Sequence, residues 1–391
     1  MKQFETQICL VSGQPDANLL PVLDKGLRPS RVILLATPQM GLAARNLQAA
    51  IRNYVKAEIV MLDSAYDMNR LSDQLTSLEE KQDLDLEDAV VNITGGTKPM
   101  SIAAFRWCSA FGVPCFYVSV ADSVLTLFSG EKMQDMETRR IEVDASAKFL
   151  PRYFQAHGFE LQKTKSPLKR TKERQEFIDQ LMKKSHAEEV GRLNGLASAA
   201  DEIYKQRSRS EVRVTAPALT AGDAFFEGLS QLGLVDIRSG EVIFSGDSWD
   251  ETEENFRFLN GVWFEEAVAD ALREAFPGVV IHQNVEVKNS NGQGAKNEFD
   301  AVFFYKNQLY VVEVKAKKFE EGDNNSQDVL HKLEALTQKA GGLAAKKCLV
   351  SYRPLPPALR TRAKENQVFV IQGNDLFPHS AFVERLRKWL A

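Results

Sequence analysis

Short runs of Val, Ile and Leu recur through the first 150 residues, at 7–12, 31–37, 58–63, 89–94 and 115–120, each the length of a buried strand. Helix-period segments at 39–55 and 98–111 lie between them. Repeated βα units predict a mostly parallel sheet with helices on both faces, a Rossmann-like domain over residues 1–150. The runs 124–129 and 139–143 read as added strands that close this sheet.

The pattern then becomes helical, at 173–184, 188–205 and 221–232, and ends in a hairpin at 234–245 with a Ser239-Gly240 turn. Helices followed by a ribbon predict a connector over 151–250 whose order resembles a winged helix. No cluster of Arg, Asn and Gln marks a DNA-reading helix. Residues 251–391 return to mixed α/β order: a helix at 260–276, strands at 297–305 and 309–317, a helix at 328–339 and a strand at 347–351. An α-β-β-α-β order of this kind predicts a third, separate domain.

Parallel α/β sheets bind ligands at the carboxyl ends of their strands, which directs attention to the loops SGQPDAN, ATPQM and ITGGTKPM. In the last of these, Gly95 and Gly96 allow a tight turn with free N–H groups, Thr94 and Thr97 add hydroxyls, and Lys98 adds a cation at a helix start. Ser12, Gln14 and Asn18 after the first strand and Thr37 after the second add polar groups at the same sheet edge. Neither a Walker A loop nor G-x-G-x-x-G is present, so the loops predict a small anionic or nucleotide ligand without ATP hydrolysis or dinucleotide redox chemistry.

The strands 297–305 and 309–317 should form a hairpin. Strand alternation puts Glu313 and Lys315 on one face with Val311, while Val312 and Val314 point the other way. A loop at Asn307-Gln308 would set Asp300 across from Lys315 and gather two carboxylates and an ammonium on one face. In the preceding helix, Glu265 shares a face with Val268 and Leu272, whereas Glu266 lines up with Asp270 and Arg273 and should be solvated. Asp300, Glu313 and Glu265 are therefore the candidate ligands of Mg²⁺ or Mn²⁺, with Lys315 beside the phosphate, the set that phosphodiester hydrolysis requires. A surface salt bridge is the simpler explanation of an isolated D…E-x-K.

Composition limits the alternatives. The 391 residues carry 49 basic and 53 acidic side chains, a net charge of -4, with 44% hydrophobic residues, which suits two or three soluble globular domains. Mild acidity argues against coating nucleic acid by charge alone, although residues 151–240 hold 15 basic against 12 acidic residues. The stretch 161–174 has six basic residues against one acid, either a solvated connector or a strip for phosphates. Four cysteines without C-x-x-C spacing and five scattered histidines make zinc and disulfide frameworks poor explanations. With no membrane-spanning apolar run and no signal pattern, the expectation is a cytoplasmic protein with no membrane partner.

GVWFE at 261–265, NEFD at 297–300 and EVK at 313–315 resemble the PD-(D/E)XK nuclease signature, and NITGGTKPM at 92–100 resembles the ligand loop of CARF domains. Their pairing resembles the CRISPR-associated CARF–nuclease effectors of type III systems, at both ends of the chain and only by order in the middle. Ala301 departs from the branched residue expected after the motif Asp. The resemblance implies a homodimer that binds a cyclic oligoadenylate, cyclic tetra-adenylate in particular, across two CARF domains, with Thr94 to Met100 of each chain against the ring. It implies that this activator turns on a restriction-endonuclease-like domain that cuts single-stranded DNA, plasmid DNA or RNA in antiviral defence. Two other readings stay open: a ligand-sensing transcription regulator that binds duplex DNA without cutting, and a Rossmann-type enzyme acting on a small nucleotide.

Overall fold

The computed structural model describes residues 3–162, 170–205, 212–215, 224–238, 241–244, 249–292, 296–319 and 324–390. In the N-terminal domain, β1 (Thr6–Leu10), α1 (Asp16–Leu23), β2 (Arg31–Ala36), α2 (Gly41–Ile51), β3 (Lys56–Met61), α3 (Met68–Thr76), α4 (Leu78–Gln82), β4 (Ala89–Asn92), α5 (Lys98–Phe111) and β5 (Cys115–Ser119) alternate as predicted. The antiparallel strands β6 (Val124–Ser129) and β7 (Asp135–Arg140) complete a sheet ordered β3-β2-β1-β4-β5-β6-β7. β7 starts earlier than its hydrophobic run suggested because the extension Asp135 to Thr138 is exposed and carries only Met136 as an apolar residue. β1 pairs in parallel with β2 on one side and β4 on the other, so the chain switches direction across the sheet there and opens a crevice between the loops that follow.

α6 (Phe149–Ala156) and β8 (Phe159–Leu161) fall in the span expected to be a connector. α6 packs on α2, and β8 pairs with a strand of the C-terminal sheet. α7 (Lys172–Leu181), α8 (Ala187–Lys205), β9 (Val212–Thr215), α9 (Ala224–Gln231), β10 (Asp236–Arg238) and β11 (Glu241–Phe244) follow, with the strands ordered β10-β11-β9. This is a winged-helix-like succession of helices and ribbon, although the Ser239-Gly240 turn and residues 163–169 of the basic stretch lie outside the described residues. Its interior is not separate. Phe177, Val190, Leu193 and Phe226 share one apolar core with Phe264, Val312 and Tyr352 of the C-terminal domain.

The C-terminal domain is built from α10 (Trp249–Arg257), α11 (Trp263–Ala275), β12 (His282–Asn289), β13 (Asn297–Tyr305), β14 (Gln308–Lys315), α12 (Asn324–Gly341), β15 (Lys346–Ser351), α13 (Pro357–Glu365), β16 (Val368–Gln372) and α14 (His379–Leu390). A turn with Gly261 at φ 126° separates α10 from α11, so the helix expected from residue 260 begins at Trp263. The sheet order is β16-β15-β14-β13-β12-β8. β12, which the α-β-β-α-β reading omitted, mixes Val285 and Val287 with polar neighbours.

Two cores meet at the β13–β14 hairpin. Val302, Phe304, Leu309 and Val311 face the core shared with α1, α2 and α6 of the N-terminal domain, while Ala301, Phe303, Tyr310, Val312 and Val314 face the core under α11 and α14. Full burial of such side chains contributes roughly 1.5–3 kcal/mol each, which fixes the register of the hairpin.

Candidate active site and ligand pocket

The hairpin turn consists of Lys306 and Asn307, with φ of 48° and 60°, the left-handed pair of a type I′ turn, and Tyr305 pairs with Gln308. This corrects the expected Asn307-Gln308 loop. The register runs Ala301 to Val312 and, continued by one residue, places Asp300 opposite Glu313 rather than Lys315. The change of two residues keeps all three side chains together. Lys315 Nζ lies 2.6 Å from Glu313 Oε1 and 3.5 Å from Asp300 Oδ2, and Asp300 Oδ2 accepts the Val314 N–H at 2.7 Å. The carboxylate side chains are only 14% and 12% exposed, too buried for an ordinary surface salt bridge.

α11 brings Glu265 into this group. Burial and the Asp300 charge push its carboxyl up to about 8, against the pull of Lys315, and Glu298 adds to the rise. Burial, then Asp300, also raises Glu313. Burial opposes the charge of Lys315, but Asp300, Glu313 and Glu265 outweigh it and hold the ammonium protonated well above its ordinary range. Three carboxylates share one cation, an excess of negative charge that a divalent metal fits by oxygen ligation. Among the described residues, no group of three or more His, Cys, Asp and Glu stands at metal-holding spacing. What the structure gives for Glu265 is its electrostatic coupling to Asp300 and Lys315. Glu298 was not singled out from the sequence, yet its position two residues before Asp300 on a strand was the available signal.

The expectation that Glu266 is solvated is overturned. It is 5% exposed, and burial raises its pKa while Arg170 and Arg174 oppose that rise. The described part of the basic stretch folds back onto α10 and α11. Arg170 meets Asp270 at 2.6 Å, and Arg174 meets Asn255 at 3.0 Å and Glu254 at 3.5 Å. These cations neutralise helix acids, so helix periodicity alone mistook a covered face for a solvated one.

At the opposite end of the chain, a cavity of about 530 Å³ opens over the carboxyl ends of β1 to β4. Of the ten expected ligand residues, Ser12, Thr37, Gly96, Thr97 and Met100 line it. Gly96, at φ 75°, makes the turn, and Thr97 caps α5 while its hydroxyl donates to Ala65 O. The other five lie outside the lining. Asn18 sits in α1, fully buried, and donates to Leu10 O at 2.8 Å, because the polar run after β1 turns helical at Asp16. Thr94 donates to Asn92 Oδ1 at 2.6 Å and accepts from Val118 N at 2.9 Å, and Gly95 lets the chain pass against the Leu10 carbonyl, where a Cβ would collide. Gln14 and Lys98 are exposed. The loop after β3 supplies Asp63, Ser64, Ala65 and the 74% exposed Tyr66. The rule that selected the other loops applied to this one too.

Two family models match the chain, one over each flanking domain. Residues 6–145 match the family model described as the Card1 CARF domain, and residues 252–390 match the Card1-like endonuclease domain. No curated protein sequence matches the chain. Among solved structures, Can2 from Sulfobacillus thermosulfidooxidans, in complex with cyclic tetra-adenylate, is similar over 99% of both chains at 23% identity, with a TM-score of 0.75. Protein VC1899 from Vibrio cholerae is similar over 97% of this chain and 98% of its own, at 19% identity and a TM-score of 0.78. A type III CRISPR defence DNA nuclease activated by cyclic oligoadenylate shares the fold over 91% of this chain and 47% of its own, at 17% identity and a TM-score of 0.52.

Proposed function

From a chain that belongs to the Card1-like family through both its CARF and its endonuclease domain, we propose a homodimeric, divalent-metal-dependent endonuclease of type III CRISPR defence, activated by cyclic tetra-adenylate. The observation that carries this reading is the buried group of Asp300, Glu313 and Lys315 on the β13–β14 hairpin with Glu265 of α11, three acids around one ammonium. The full-length likeness to Can2, solved with cyclic tetra-adenylate, supports the choice of activator.

Asp300 and Glu313 would hold Mn²⁺ or Mg²⁺, which supplies polarisation of the scissile phosphate and a more acidic bound water. Lys315 keeps its proton and sets a fixed positive charge beside the phosphate oxygens. Burial and the Asp300 charge raise the Glu265 carboxyl in the metal-free site, and it would stand beside the reacting phosphate as the third acid of the group. In the CARF domain, the Ser12 and Thr37 hydroxyls and the Gly96 backbone would meet phosphate and ribose, Thr97, with its hydroxyl held by Ala65 O, shapes the wall, and Tyr66 offers a ring for base stacking. A cavity of about 530 Å³ suits a drug-sized molecule, less than a ring of four nucleotides occupies, so two copies meet around the activator. The middle domain shares its core with the nuclease, which favours cleavage over a free-standing DNA-reading module.

Purified protein is incubated with labelled single-stranded DNA, supercoiled plasmid and RNA, with and without Mn²⁺ and cyclic tetra-adenylate. Cleavage that needs both additions is the expected result. Tight activator binding without cleavage of any substrate would move the function to ligand-dependent regulation, and cleavage indifferent to the activator would remove the switch.

A further inference from the structure

We infer that Asn307 and Gln308, at the tip of the catalytic hairpin, are positioning residues that carry the state of the CARF ligand loops to Asp300, Glu313 and Lys315. The inference rests on the activator-dependent reading above. Three hydrogen bonds join the hairpin tip to the CARF domain: Asn307 Nδ2 donates to Ile141 O at 2.7 Å, Gln308 Nε2 to Ala121 O at 2.7 Å, and Ser123 Oγ to Lys306 O at 3.0 Å.

Each acceptor or donor on the CARF side leads back to a loop at the ligand cavity. Ser12 and Gly13 line that cavity and precede α1, whose C-cap residue Asp24 is fully buried. Asp24 Oδ2 accepts from Glu142 N at 2.7 Å and from Arg139 Nη1 at 3.1 Å, so it grips the chain on either side of Ile141. On the second route, Thr94 precedes the cavity residues Gly96 and Thr97 and accepts the Val118 N–H of β5 at 2.9 Å. Three residues later, β5 has become the turn that holds Ala121 and Ser123. Thr94 and Asn18, which do not line the cavity, thus find a use in holding the elements that do: Asn18 Oδ1 accepts from Asn92 Nδ2 at 2.8 Å, joining α1 to β4.

The junction is hollow beside this contact. A cavity of about 600 Å³ lies between the domains, lined by Lys25, Ile141, Lys306, Tyr310 and Trp389 among others, so the tip has room to shift. A strand rises about 3.3 Å per residue, which puts Asp300 roughly 17 Å from the tip. A tilt of about 3° there moves the carboxylate by about 1 Å, and a misplacement of that size costs about a hundredfold in rate. Three hydrogen bonds at the tip are therefore enough to set the reactivity of the far end, and a shared two-state element is what coupling between distant sites requires.

The test uses the full-length double variant Asn307→Gly, Gln308→Leu. Glycine suits the left-handed turn position, so the hairpin is kept while both side-chain donors are removed. Cleavage of single-stranded DNA with Mn²⁺ is measured with and without cyclic tetra-adenylate, together with activator affinity by calorimetry and amide exchange over residues 305–309. The expected result is unchanged basal cleavage, activator affinity within a few fold of the parent, and a ratio of activated to basal rate at least about tenfold lower. Exchange at the tip responds to activator in the parent and not in the variant. An unchanged activation ratio overturns the inference while the proposed function stands, and an equal fall in basal and activated rates makes the contact merely structural. If the parent itself is not activated, the proposed function fails first and the inference with it. Should the double variant not fold, Ser123→Ala removes the third contact from the CARF side and is read in the same way.

Discussion

Glu265→Gln should stabilise the metal-free protein in alkaline solution. The folded carboxyl is pushed up to about 8 from an ordinary 4.5 by burial and by Asp300. Below pH 4.5 the group is protonated folded or unfolded, and its contribution to stability is fully present. As pH rises toward about 8 the unfolded carboxyl ionises freely while the folded one resists, so that contribution is progressively lost and stays lost above. At about 1.4 kcal/mol per pH unit the gap is worth up to about 5 kcal/mol, and coupling to the likewise raised Glu313 leaves Glu265 about 2 to 3 kcal/mol of it. At roughly 2–4 °C per kcal/mol for a unit of this size, the variant should melt about 5 to 10 °C above the parent at pH 8.5 in EDTA. The difference should vanish at pH 4.5 and shrink when Mn²⁺ is added, because a bound cation repays the charge. Melting curves of both proteins from pH 4.5 to 8.5, with and without Mn²⁺, measure this. Parallel curves would mean that Glu265 does not feel the hairpin acids, and the active-site assembly described here would be wrong.

Lys315→Met removes the cation from between two acids; cleavage should fall at least a hundredfold, the metal-free protein should lose about 3–5 kcal/mol, and calorimetric binding of cyclic tetra-adenylate should not change. Tyr66→Ala should weaken that binding by about 1–3 kcal/mol if its exposed ring stacks on a base, and unchanged affinity would take Tyr66 out of the site. Glu266→Ala leaves Arg170 and Arg174 short of a buried partner, so melting should show a loss of about 1–3 kcal/mol while the cleavage rate at saturating activator holds; a rate loss without a stability loss would put Glu266 in the active site instead.

Both flanking folds were legible because their strands are buried on two faces. The runs around β1, β2 and β4 are apolar-rich and buried almost throughout, as a covered parallel sheet allows. β12 escaped because its two valines alternate with His282, Gln283, Glu286 and Lys288, a half-exposed pattern with less apolar signal. The separation of the middle segment failed for a different reason. Periodicity identifies apolar faces but does not say which faces meet, and the Phe177 face meets Trp263 and Tyr352 rather than closing on itself.

The expected grouping of Asp300, Glu313 and Lys315 survived a wrong register because a two-residue shift preserves alternation. A one-residue shift would have sent Asp300 to the opposite core, and the sequence excludes it, since Ala301 and Phe303 already fill that face with Val312 and Val314. The ligand residues had no comparable protection. A polar residue at a strand end serves equally to touch a ligand or to fasten one loop to the next, and composition does not distinguish Thr97, which lines the cavity, from Thr94, whose oxygen is held by Asn92 and Val118. The distinction lies in which backbone groups the strand ends leave unpaired, a property of the assembled sheet. Thr94 and Asn18 are therefore better read as fixing the spacing of the loops than as contacts to a nucleotide. Their substitution should disturb activator binding through loop position, with loss of stability alongside, whereas loss at Ser12 or Thr37 should leave melting unchanged.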